Sequence, residues 1–134
     1  MCSSDLPELI ATYRTFRASM GTAPQEFVQA AATLAWSEPE HVRQRVALFG
    51  QKRAVLMAMC KERGLVVHGS QAGLYLWVEV PAGTDGVAYA QRCREAGILV
   101  APGAFFGKGQ ERYVRLALVP TVDECKQAAA LWPR

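Results

Sequence analysis

Gly97-Ile98-Leu99-Val100-Ala101-Pro102-Gly103-Ala104-Phe105-Phe106-Gly107, followed after a polar loop by Tyr113-Val114-Arg115-Leu116-Ala117-Leu118, decides how this chain folds. Ile98 to Ala101 is a short apolar run closed by Pro102-Gly103, the pattern of a buried strand ended by a turn. In the second run, a period of two puts Val114, Leu116 and Leu118 on one face and Tyr113, Arg115 and Ala117 on the other. One face is core; the other carries a guanidinium beside an aromatic ring. The planar fork of donors on an arginine suits a carboxylate or a phosphate, and burying it without a partner is costly. An anion is therefore expected opposite Arg115, either an acidic side chain of the same domain or a ligand. A hydrated, open sheet face is the remaining alternative.

The period of two extends upstream. Leu65, Val66 and Val67 begin a short strand, and Leu74, Leu76, Val78 and Val80 alternate with Tyr75, Trp77 and Glu79 in the next. Thr84 or Asp85 is placed to cap a helix that runs to about Ala96 and stops at Gly97. Thr121 to Glu124 cap a last helix ending near Leu131.

Before Gly64 the pattern is helical. From Pro7 to Met20, Leu9, Ile10, Tyr13, Phe16 and Met20 recur at helical spacing, and Gly21-Thr22-Ala23-Pro24 interrupts them. An alanine-rich helix follows from Gln25 to about Trp36. Ser37-Glu38-Pro39-Glu40 has the form of a capping box for the longest helix, expected from Pro39 to about Arg63. Val42, Val46, Phe49, Leu56 and Cys60 form its packing stripe, with Arg43, Arg45, Gln51, Lys52 and Lys61 facing outward. The expected order is three helices, two strands, a helix, two strands and a helix, which is an α+β arrangement.

The quoted stretch resembles the C-terminal domain of class I/II aminotransferases, which are pyridoxal-phosphate enzymes of fold type I. Ala72-Gly73-Leu74-Tyr75-Leu76-Trp77 is similar to that family's glycine-aromatic strand at the start of the small domain. The resemblance implies helices followed by a small, mostly antiparallel sheet covered by helices. It divides the chain into the end of a large domain (7–38), an interdomain helix (39–64) and a small C-terminal substrate domain (65–134). It gives Arg115 the role of binding the substrate's α-carboxylate, and it implies amino-acid and keto-acid substrates and a homodimeric parent. The loop matching Ser19 to Pro24 lies near the subunit interface in the family, which makes Arg17 a candidate for a distal carboxylate in the neighbour's site. Leu116-Ala117-Leu118-Val119-Pro120-Thr121 with Asp123-Glu124-Cys125 is most similar to the succinyldiaminopimelate transaminase branch, an enzyme of lysine biosynthesis.

Pyridoxal chemistry needs a Schiff-base lysine and donors for the cofactor's phosphate. Lys52, Lys61, Lys108 and Lys126 are the lysines present, and none lies in the family's serine-lysine motif. No catalytic or cofactor-binding residue is therefore assigned, and the chain is not expected to transaminate alone. Met1 to Leu6 departs from the family-like sequence that begins at Pro7 and matches the translation of a sequencing adapter. It is expected to be a non-native or disordered start.

At 134 residues the chain is long enough for a core without disulfide staples. Its formal charge of +3, from 15 basic and 12 acidic residues, forms no basic run that would imply nucleic acid. Cys2, Cys60, Cys93 and Cys125 lack metal-ligand spacing and are read as reduced thiols in a cytoplasmic protein, some of them core. Gly103 to Gly109 is one residue short of a phosphate loop, has Gly109 where Ser or Thr is needed, and precedes a strand instead of a helix. His41 and His68 have no acidic neighbour in sequence that would make a ligand set or a catalytic pair, and no serine lies in a nucleophile elbow. Two rivals stand beside the aminotransferase reading. One is a stand-alone α+β module that binds a small carboxylate through Arg115 or regulates through it. The other is an RNA-binding sheet, disfavoured by near-neutral charge and few paired aromatics on the expected strands.

Overall fold

The structure, a computed structural model, describes residues 6–21 and 23–133. The expectations about Met1–Asp5, including Cys2 and the foreign start, and about Thr22 lie outside the described residues. The chain divides into two units, one up to Glu40 and one from His41 onward.

The first unit holds α1 (Pro7–Ser19) and α2 (Glu26–Ser37). Pro7 sits in the first turn of α1, where its missing N–H costs no hydrogen bond. Neither helix buries a single residue. Leu9, Tyr13, Phe16 and Met20, the apolar side of α1, are all more than half exposed, and in α2 so are Phe27, Leu34 and Trp36. The capping box expected at Ser37 does not form there. α2 continues through Ser37, whose hydroxyl donates back to the Leu34 carbonyl at 2.8 Å, a local bond that competes with capping the next helix.

The second unit contains α3 (Glu40–Glu62, its first residue at the boundary), β1 (Val66–His68), β2 (Tyr75–Glu79), α4 (Gly86–Glu95), β3 (Ala101–Pro102), β4 (Tyr113–Ala117) and α5 (Val122–Leu131). The order of elements is the expected one. The strands form one sheet in the order β1-β2-β4-β3, with every pairing antiparallel. β3 is shorter than expected and lies at the sheet edge, where no further strand calls for the N–H that Pro102 lacks. Asp85 caps α4 by accepting from the Ala88 N–H at 2.8 Å, and Thr121 with Glu124 forms a complete capping box on α5.

Register places Leu76 opposite Leu116 and Val78 opposite Val114, so the period of two in both strands points one set of side chains into the core. Those four residues are at most 2% exposed. Leu56, Met59 and Cys60 of α3, Tyr89 and Cys93 of α4, and Cys125 of α5 cover them. Burying each such side chain contributes about 1.5–3 kcal/mol, which is what holds the helices on this face. A buried hydrogen bond of 2.9 Å from Trp132 Nε1 to Tyr89 Oη ties the segment after α5 to α4.

The stripe expected along α3 is half right. Leu56 and Cys60 are core, whereas Val42 and Val46 are at least half exposed, because only the second half of the helix lies on the sheet. Lys52, expected to face outward, is buried. Its ammonium donates to the carbonyls of Leu118 and Val119, each at 3.2 Å, and lies 4.9 Å from the Phe49 ring centre. The long side chain spans the core edge and satisfies two carbonyls just past the end of the Arg115 strand.

Candidate functional site

The second face of the sheet bears no covering helix of the second unit and collects the polar and aromatic side chains. The β2–β4 register puts Trp77 opposite Arg115 and Glu79 opposite Tyr113, all on this face. Arg115 is half-buried there. Its guanidinium carbon lies over two rings, 4.2 Å from the centre of Tyr75 and 4.3 Å from that of Phe106. Tyr75 comes from β2 and Phe106 from the 3-10 turn Gly103–Phe106 between β3 and β4, so three separate segments meet at one charge.

That turn is held close by the absence of a side chain at Gly103. A Cβ there would stand 2.1 Å from the Gln110 carbonyl oxygen and 2.8 Å from that of Tyr113, far inside contact distance. The run Pro102-Gly103 therefore does more than end a strand. It lets Phe106 come down onto Arg115.

Of the partners expected for Arg115, an acidic side chain of the same domain is not the one found. Among the described residues Arg115 makes no ion pair or hydrogen bond through its side chain, and the rings are its neighbours. The nearest carboxylate in the strand pattern, Glu79, is engaged elsewhere. It holds Arg112 at 3.0 Å and His68 at 3.0 Å, so His68 has the acidic partner its sequence neighbours did not suggest. No acceptor among the described residues takes up the guanidinium N–H groups, which are the donors that meet a carboxylate in a bidentate pair.

Paired aromatics, expected to be few, are a main feature of this face. Trp77 stacks on Tyr113 at 5.4 Å with 20° between the planes and meets Phe106 edge-on at 5.6 Å, while Tyr113 meets His68 edge-on at 5.5 Å. The signal for Tyr75 and Trp77 was their alternation with Leu74, Leu76 and Val78; that for Phe106 was only its place after Pro102-Gly103.

Arg17 lies in the first unit, in an open groove of about 630 Å³ that Tyr13, Arg14 and Gln29 also line. The four lysines do not form a cofactor site. Lys52 is committed to two backbone carbonyls, Lys126 pairs with Asp123 at 3.0 Å, and Lys61 and Lys108 are exposed. The residues present thus do not fit a Schiff base with pyridoxal phosphate. Cys60, Cys93 and Cys125 are free and buried; loss of water around them pushes the Cys60 and Cys93 thiols up to about 11, which keeps them protonated and inert at neutral pH. No helix among the described residues is long and apolar enough to cross a membrane.

Comparison with known proteins gives the family of the chain. The family model described as "Aminotransferase class I and II" matches residues 1–131. The chain is 36% identical over 130 residues to the 4-dedimethylamino-4-oxo-anhydrotetracycline transaminase OxyQ of Streptomyces rimosus, an alignment covering 97% of this chain and 35% of that protein. Among solved structures, an aminotransferase from Neisseria meningitidis superposes with a TM-score of 0.77 at 31% identity, covering 94% of this chain and 34% of the other. A probable N-succinyldiaminopimelate aminotransferase from Thermus thermophilus gives a TM-score of 0.65 at 32% identity, over 70% of this chain and 25% of the other. The chain spans about a third of the length of the curated relative described.

Proposed function

Because the chain belongs to the class I and II aminotransferases, we propose that it is the substrate-closing C-terminal part of an enzyme that moves an amino group from an amino acid to a keto acid. Residues 7–38 would belong to the end of the large domain, 39–64 to the joining helix and 65–134 to the small domain. The observation that carries the reading is Arg115, a half-buried cation beside two rings and without an acidic partner among the described residues. It holds the substrate's α-carboxylate by two parallel charge-assisted hydrogen bonds and so aims the amino group. Its part is orientation; no proton passes through it. The family's pyridoxal phosphate supplies the amino-transfer chemistry and, in the parent, is bound mostly by residues outside this stretch, consistent with a chain that spans about a third of its relative.

For the substrate we propose a succinylated diaminopimelate precursor. The support is the sequence from Leu116 to Cys125 together with likeness to the Thermus thermophilus protein, whose name carries that activity. A homodimeric, cytoplasmic parent completes the proposal, with free thiols at Cys60, Cys93 and Cys125 in keeping with a reducing compartment.

The test is the genomic DNA upstream of the Met1 codon. An open frame carrying a serine-lysine motif and a following glycine-arginine pair is the expected result; an in-frame stop there would overturn it in favour of a stand-alone carboxylate-binding module. In the enzyme that such a frame encodes, Arg115→Ala should lower kcat/KM about ten- to a hundredfold for a carboxylate-bearing amino donor, the loss of a charge-assisted pair. A donor without that carboxylate should be turned over as before.

A further inference from the structure

We propose that Tyr75 and Phe106 are positioning residues that fix the Arg115 guanidinium before any carboxylate arrives. The proposal rests on Arg115 being the carboxylate ligand and adds how that ligand is held. An arginine on an open strand face moves among many rotamers and gives up that freedom on binding. Here two ring faces lie 4.2 and 4.3 Å from the guanidinium carbon, inside the range in which a ring's negative face attracts a cation. Neither ring offers a hydrogen bond to the guanidinium in this arrangement, so the cation is restrained while its donors stay free.

The rings are themselves braced. Phe106 is met edge-on by Trp77, which stacks on Tyr113, and Tyr113 is met by His68, whose Nε2 lies 3.0 Å from Glu79. Phe106 also sits at the end of the turn that Gly103 allows to approach β4. Tyr75 stands in β2 opposite Ala117, and its ring lies beside the Arg115 guanidinium. A rigid donor pair lowers the entropic cost of capturing a carboxylate, and that is the service the two rings perform.

The experiment uses the full 134-residue chain and sodium acetate as probe, with sodium chloride as the ionic-strength control. The side-chain Nε–Hε resonance of Arg115, assigned by its loss in Arg115→Lys, is followed by NMR. In the unsubstituted chain it should be displaced by ring currents and should move further with acetate, at the high concentrations a half-built site requires. Tyr75→Leu and Phe106→Leu should each remove part of the ring-current displacement and weaken acetate about two- to fivefold. Tyr75→Phe keeps a ring and should retain both. Both side chains are more than two-fifths exposed, so these variants leave the core intact, and the backbone amide spectrum verifies it. If the leucine variants leave the resonance and the acetate affinity unchanged, the positioning role falls while the carboxylate reading stands. If acetate moves the resonance of the unsubstituted chain no more than chloride does, the carboxylate reading falls and takes the proposal with it.

Discussion

The two units use their apolar residues in opposite ways. In the second, Leu76, Val78, Val114, Leu116 and Leu118 are sealed under three helices; in the first, Leu9, Phe16, Phe27, Leu34 and Trp36 line two helices that bury nothing. Helical periodicity alone does not distinguish these cases, since α1 has as clear an apolar stripe as many core helices. What distinguishes them is whether the chain supplies a second surface. The sheet supplies one for the later part of α3, for α4 and for α5, and the first unit, by itself, builds nothing equivalent for α1 and α2 among its described residues.

The same chemical change in each unit gives the sharpest contrast. Leu76→Ala should cost about 2–5 kcal/mol of stability in urea denaturation followed by circular dichroism, the penalty for a cavity in a close-packed core. Leu34→Ala, at a side chain 71% exposed, should change it by less than about 0.5 kcal/mol. Equal costs would mean that α2 is covered by another molecule in solution. A smaller effect is expected from Lys52→Met, which keeps the packing length but strips the carbonyls of Leu118 and Val119 of their donor. About 1–3 kcal/mol should be lost from the second unit alone. Exchange of the α1 and α2 amides should not respond, and a response there would break the division between the units.

The smallest effect is that of pH on α5. The Glu124 carboxyl is held below its ordinary range by the Thr121 backbone N–H, at 2.6 Å, and then by the Thr121 hydroxyl. A carboxyl whose pKa is lowered by folding stabilises the folded state above its unfolded pKa, and that contribution disappears as pH falls through the folded value. Helicity at α5 should therefore decline on acidification below the usual carboxylate range. Glu124→Gln should flatten that part of the acid titration, and an unchanged acid profile would show that the cap contributes nothing measurable.

Where a pattern was local, the sequence was readable. The alternation in Tyr113–Leu118 placed Val114, Leu116 and Leu118 in the core and Arg115 on the other face, and Thr121 with Glu124 announced its own capping box. Two features depended on chain segments far apart and were not. The rings around Arg115 come from β2 and from a turn, and no spacing within β4 encodes them. Lys52 departs from the expectation because periodicity assigns a charged helix residue to solvent, whereas its partners are the carbonyls of Leu118 and Val119, distant in sequence. Ser37 failed for a third reason, since the residues that cap the next helix can as easily bond back to the previous one.

The tryptophans sample these surroundings one by one. Trp36 is 90% exposed on α2, Trp77 stands in the aromatic row beside Arg115, and Trp132 is 3% exposed with its indole N–H bonded to Tyr89. Intrinsic emission from the folded chain is therefore a sum of a red, water-like component, one sensitive to neighbouring rings and a blue, sheltered one. Acrylamide should extinguish the first at low concentration and leave the last, so a single cuvette reports on both units and on the arginine face at once.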